Sequence, residues 1–217
     1  PKLKWIKSNL QTKLHLILFF IISFLLSALI VRNLNINFLI NTILVTSAFY
    51  LFFITARDFF IKKFVNLSQN IAHFGFSLLI LSILFNNIFS TEIITNLKIG
   101  ETFENEKLKI NFVNIKEKDG KNFKAIIGKF NIENSNGEVE VLKPELRIYN
   151  QPNIVTSEAD IQTNLLKDRF MTMNLVQNKD YFNIRYQVKP FMIWIWFSVL
   201  VISLGGLKSL IKKKYED

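Results

Sequence analysis

Apolar residues along this chain are gathered into long blocks rather than spaced at regular intervals. Leu14 to Val31, Ile36 to Ala56, Ser68 to Phe89 and Phe191 to Leu207 carry almost no charge. Each block is close to the roughly 20 residues with which a helix crosses a bilayer core. Four transmembrane helices are expected. Between the third and fourth blocks the period changes. "LKINFVNI", "FKAIIGKFNI", "VEVL", "ELRIY", "RFMTMNLV" and "YFNIRYQV" are short runs rich in β-branched and aromatic residues that alternate in the manner of strands. "KDGK" at Lys118 and "NSNGE" at Asn134 separate runs as hairpin turns, because Asp-Gly and Asn-Gly tolerate the positive φ that tight turns require.

The expected fold class is therefore an α-helical membrane protein with four transmembrane helices and an inserted small antiparallel β domain, a barrel or sandwich, on the outer face. Its divisions are residues 1–89 with three spans (about 14–31, 36–56 and 68–89), an outward-facing β domain over 90–190, and a fourth span with a basic cytoplasmic tail over 191–217. "TSEADIQTNLLKD", with Ser157 three residues before Asp160, predicts a short helix or ordered loop crossing the sheet. Lys189-Pro190 predicts the end of the last strand and the first turn of the fourth helix, where proline is tolerated.

Charge gives the orientation. The net charge is +10, yet residues 90–190 hold 15 Lys+Arg against 14 Asp+Glu, so +9 belongs to the rest. That excess sits in short flanks: Lys2, Lys4, Lys7 and Lys13; Arg57, Lys62 and Lys63; Lys208, Lys212, Lys213 and Lys214. With four spans all three flanks fall on one side, which the positive-inside rule makes cytoplasmic or matrix. Both termini are then inside and residues 90–190 outside, and nucleic acid is not an expected partner. A cleavable signal peptide fits poorly, because the first block is long, lacks a small-residue cleavage site and is followed by three more.

Candidate chemistry is sparse. The absence of cysteine excludes a disulfide framework and thiol chemistry carried by this chain. Two histidines remain. His73 lies in "NIAHFGFSLLILSILF", about five residues inside the third block and roughly 7 Å deep at 1.5 Å per residue. An ionisable group at that depth points to function, with a histidine hydrogen-bonded to a neighbouring helix as the alternative. Gly75, with Ala72 beside it, would let either a flat macrocycle or another helix approach. His15, among lysines at the mouth of the first span, reads as an interfacial residue and a weak ligand candidate. Trp194 and Trp196 are placed to anchor the fourth span at headgroup level or to offer a flat surface to a cofactor. Gly205-Gly206 fits a packing contact or a helix end. Glu145, Arg147, Glu158, Asp160, Asp168 and Arg169 cluster in the β domain without a spacing diagnostic of acid–base catalysis, so the catalytic residues are unknown.

Three ordered stretches, "AHFGFSLLIL" from Ala72, "LKPELRIYNQPNIVTSEADI" from Leu142 and "KPFMIWIWFSVLVISLGG" from Lys189, resemble the carboxy-terminal part of the cytochrome c-type biogenesis family CcmF, the haem lyase subunit. The resemblance implies that His73 is an axial ligand to the iron of a membrane haem b. It also implies a lyase joining haem to apocytochrome c, with the haem chaperone CcmE, the thiol-handling chaperone CcmH and the N-terminal part of the lyase as partners. Its location would be the inner membrane of a bacterium, or the mitochondrial inner membrane if organellar. The segment that binds incoming haem in that family has no counterpart here, so the chain is expected not to be catalytic alone. Ser198 stands where the family usually has glycine. Opening on Pro1, the chain is expected to be a split or processed subunit, or a piece of a larger polypeptide. A non-catalytic membrane scaffold with a partner-binding β ectodomain is the alternative.

Overall fold

The computed structural model describes residues 10–32, 34, 37–61, 67–106, 108–135, 137–176 and 179–216. Of the basic flanks, Lys2, Lys4, Lys7, Lys62 and Lys63 lie outside the described residues, as do the side chains of Lys13, Lys212, Lys213 and Lys214. The chain divides into two compact units, one running to Ile88 and resuming at Met192, the other Phe89–Phe191.

The first unit holds α1 (Leu10–Arg32), α2 (Phe38–Ile61), α3 (Leu67–Phe89) and α4 (Met192–Glu216). All four are long and apolar enough to cross a membrane. Lipid is as apolar as leucine, so such helices associate through close packing and hydrogen bonds rather than hydrophobicity. Each seam here is built accordingly. α1 packs on α2, with Ser23, Ser27 and Val31 buried on one helix and Thr42, Val45 and Thr46 on the other. α2 meets α3 through Thr55 Oγ1 and Ser77 Oγ, which share a hydrogen bond of 2.6 Å, and through the rings of Phe52, Phe59 and Phe60 around Phe74. α3 meets α4 through glycines. A Cβ on Gly205 would stand 2.7 Å from the Ala72 nitrogen, and one on Gly75 would stand 2.9 Å from Ile202 Cγ1.

The second unit is a sandwich of antiparallel strands. Its first sheet is ordered β1 (Thr91–Leu97), β10 (Phe182–Pro190), β9 (Lys167–Leu175), β8 (Asp160–Thr163). The second is ordered β2 (Thr102–Glu104), β3 (Leu108–Asp119), β4 (Phe123–Asn134), β6 (Glu145–Tyr149), β7 (Val155–Glu158), with β5 (Val139–Leu142) also paired to β4. The inner faces close over Ile110, Phe112, Phe130, Ile132, Leu142, Leu146, Met171, Met173 and Ile184, all with 2% exposure or less. Burying each large side chain contributes about 1.5–3 kcal/mol. Phe112 stacks on Phe130 with centroids 4.3 Å apart and takes the edge of Phe182 at 5.5 Å.

Strict alternation along β3 would turn Asn114 inward after Ile110 and Phe112. The register instead shifts between Phe112 and Asn114, a bulge that leaves Asn114 exposed and returns Ile115 to the core. The two expected turns differ. Gly137 has φ of 78°, as an Asn-Gly turn demands, whereas Gly120 is held by contact: a Cβ there would meet the Phe123 ring at 2.7 Å.

Two local expectations are corrected. Thr156 to Thr163 is not helical but forms most of β7 and all of β8. The polar groups that suggested a helix cap are engaged across the sandwich, Ser157 Oγ donating to the Met173 carbonyl at 2.8 Å and Asp160 Oδ2 accepting from the Lys143 nitrogen at 2.6 Å. Pro190 is not in the first helical turn: it ends β10, and Phe191 follows with φ of 59° before α4 begins. That left-handed conformation costs a non-glycine residue about 1–2 kcal/mol.

The glycine seam makes a graded prediction. Gly205→Ala opposes backbone atoms that cannot yield, so it should destabilise the helical unit by about 1–3 kcal/mol. Gly75→Ala should cost less, because the Ile202 side chain can shift in part, and Gly206→Ala, with nothing within 4 Å, should be neutral. Unfolding of the three variants in detergent micelles or bicelles checks the order.

Candidate functional site

α3 uses separate faces for separate contacts. Phe74, Ser77 and Phe85 face α2, and Asn70 Nδ2 donates to the Asp58 carbonyl at 3.5 Å. Ser68, Ala72 and Gly75 face α4. His73 belongs to neither set. It is exposed, in a row with Gln69, Phe76, Ile83 and Asn87, which are also exposed, while Ile80 in the same row is half-buried. The spacing of four, three, four, three and four residues keeps this row on one side of the helix. Of the two roles left open for Gly75 and Ala72, the structure takes helix packing. No room for a macrocycle remains at that contact.

The other candidates disperse. His15 is exposed on α1. Trp194 and Trp196 are 37% and 65% exposed in the first turns of α4, where indoles sit at headgroup depth. Gly205 is a packing contact, and Gly206 is open. Ser198 is fully buried and its Oγ donates to the Trp194 carbonyl at 2.6 Å, so the hydroxyl is accommodated inside the helical unit.

Several charges of the β domain are paired with one another. Arg147 pairs with Glu145 at 2.9 Å and lies 5.0 Å over the Phe123 ring. The bonds to Glu145 and then Tyr149 raise its pKa above the ordinary arginine value. Arg169 reaches from the first sheet to Glu140 of the second at 2.7 Å, with both side chains largely buried. Glu140 Oε2 and Asp168 Oδ1 are buried without hydrogen-bond partners. Tyr186, 2% exposed, shares this region, and burial pushes its phenol up to about 12, with Arg169 lowering it and Glu140 raising it. Sequence singled out Arg169 but not Glu140 or Tyr186. The strand alternation of β5 and β10 was the signal available, since it puts Glu140 and Tyr186 on inward-facing positions. Among the described residues no three His, Cys, Asp or Glu side chains are grouped to hold a metal ion.

These features define a class: a polytopic helical membrane protein with an extramembrane β sandwich inserted between two of its spans. A family model described as the CcmF C-terminal beta-sandwich matches residues 88–190. The cytochrome c-type biogenesis protein CcmF of Pseudomonas aeruginosa is 26% identical over 147 residues, covering 68% of this chain and 22% of that protein. CcmF of Escherichia coli is 27% identical over 144 residues, covering 66% of this chain and 22% of that protein. A solved structure, Cytochrome c Heme Lyase CcmF, has the same fold, with a TM-score of 0.63 at 19% identity over 93% of this chain and 34% of its own. Residues 88–190 are thus matched as a CcmF C-terminal beta-sandwich, and the chain is similar to the C-terminal part of CcmF. It spans about a fifth of the length of these two curated relatives, at 22%.

Tyr186 gives a pH prediction. Its folded-state pKa lies above the ordinary value, so its contribution to stability is complete below pH 10.0 and is lost as pH rises through about 12. Alkaline unfolding of the β domain should therefore steepen over that window in the wild-type chain. Tyr186→Phe should flatten the added slope and remove the last phenol from the ultraviolet titration.

Proposed function

We propose that this chain supplies His73 as one axial ligand of a haem b held within the membrane, and an outward domain that organises partners, as part of a lyase that attaches haem covalently to apocytochrome c. The observation that carries the proposal is the exposed imidazole of His73 on a side of α3 that neither α2 nor α4 uses. A polar ring left facing lipid would be penalised, and Gln69 and Asn87 in the same row add to that cost. Another group is thus expected to cover this side. An imidazole nitrogen is a good ligand for haem iron. Phe76 and Ile80, further into the span in the same row, would give a bound haem apolar surroundings. A haem bound there would supply a redox-active iron at membrane depth.

The second ligand is expected from the remainder of a longer lyase, because His15 is interfacial by sequence and α1 packs on α2. The names of the relatives, cytochrome c-type biogenesis protein and cytochrome c haem lyase, support the assignment to haem attachment. Apocytochrome c, the haem chaperone CcmE and the chaperone CcmH are the proposed partners. The proposed setting is a bacterial inner membrane, or its mitochondrial equivalent, with both termini inside and the β domain outside.

Two experiments test this. Assembled with the N-terminal part of a haem lyase, the chain should show a low-spin haem spectrum that His73→Ala abolishes or converts to high spin and that His15→Ala leaves intact. An unchanged spectrum in His73→Ala would overturn the assignment of His73 as a ligand. For orientation, single cysteines at Lys121 and Ser209 are exposed to an impermeant thiol reagent in spheroplasts. Lys121→Cys should be labelled and Ser209→Cys protected, and the reverse pattern would invert the topology.

A further inference from the structure

Sheet register brings three features to one end of the β domain. β1 starts at Thr91 opposite Val188, β10 ends at Pro190 opposite Lys167, and β8 ends at Thr163 opposite Asp168. β8 and β10 are both antiparallel to β9, so they run the same way. The turn of Asn164, Leu165 and Leu166 therefore projects in the direction in which the chain departs for α4.

This turn is braced. Asn164 Oδ1 accepts from the nitrogens of Leu166 at 2.9 Å and Lys167 at 2.8 Å, and the Asn164 nitrogen donates to the Lys167 carbonyl at 3.1 Å. The Leu166 carbonyl accepts from the Phe191 nitrogen at 2.8 Å, and the next residue, Met192, opens a membrane span. At the tip Leu165 is 70% exposed and Leu166 64%. Hairpin turns ordinarily display polar residues, and two adjacent leucines held out by a fixed backbone are costly in water. Lys167 and Lys189 stand at the same end, where ammonium groups on apolar stems suit lipid headgroups.

We propose that the β8–β9 turn is a membrane-inserting anchor, in which Leu165 and Leu166 enter the boundary between headgroups and acyl chains of the leaflet that α4 leaves. The occupant of this patch is lipid, because the tip is hydrogen-bonded to the residue that immediately precedes a span. Anchoring would tether the sandwich at a third point beside its two chain connections, so that its surfaces meet partners in a fixed orientation.

The chain has no cysteine, so single replacements carry a label cleanly. Leu165→Cys, Leu166→Cys and, at the opposite end of β9, Leu175→Cys are made in the full chain, nitroxide-labelled and placed in nanodiscs of phosphatidylcholine and phosphatidylglycerol. Leu175 is itself 52% exposed and serves as the aqueous reference. Collision with oxygen, which partitions into lipid, is compared with collision with a water-soluble nickel chelate. Labels at 165 and 166 should show an oxygen-to-chelate ratio several-fold above that at 175. A bimane on Leu166→Cys should also be quenched by lipids brominated high on the acyl chain. Ratios equal to that at 175, with no bromine quenching, would put the turn in water and overturn the proposal. Shielding from both oxygen and chelate would overturn it equally, by showing that protein, whether another copy or the rest of a longer lyase, covers the leucines.

Discussion

Helices in a bilayer gain nothing by hiding leucine from lipid, so their association depends on how closely backbones can approach. Between α3 and α4 that approach is set by two absent side chains, at Gly75 and Gly205, where any Cβ would lie within 3 Å of the facing helix. Within the β unit, the first strand, β1, pairs along its whole length with residues 182–188 of the last, β10.

The same seam fixes what α3 presents elsewhere. Once Ser68, Ala72 and Gly75 are committed to α4, and Phe74 and Ser77 to α2, the row of Gln69, His73, Phe76, Ile83 and Asn87 remains exposed, with Phe89 at the helix end. A histidine on a lipid-depth surface is costly in isolation and useful to a ligand. That balance is the physical basis of the haem proposal, and it follows from helical geometry and the packing of the other two faces.

Within the sandwich, polarity serves cohesion. Arg169 and Glu140 join the two sheets, Ser157 and Asp160 bond across strands, and Tyr186 stays neutral in the interior. Buried pairs of this kind are weak evidence for stability but strongly resist removal of one partner. The charged stretch that includes Glu145, Arg147, Asp160 and Arg169 engages in hydrogen bonds and ion pairs of the sandwich. Phe191, in its left-handed conformation, carries the local strain of the change from strand to helix.

Long-period hydropathy and local alternation settle much of this protein from sequence: four spans, six of the strands, the Asn-Gly turn at Gly137, and His73 as the residue that does not belong. These signals are local, because span length and strand pleat are properties of consecutive residues. Short strands escaped notice where side-chain chemistry imitated something else. β7 and β8 carry Ser157 and Asp160, whose helix-cap pattern is broken by partners 16 and 17 residues away in sequence. Gly75 looked equally like clearance for a macrocycle and helix packing, and Gly205 like a packing contact or a helix end, because only the facing helix decides which. The inter-sheet pair of Arg169 and Glu140, the bulge that rescues Ile115, and the end of the sheet at which Leu165 and Leu166 emerge likewise depend on register and on which faces meet. Such facts reside in contacts between distant segments, and no single stretch of the chain encodes them.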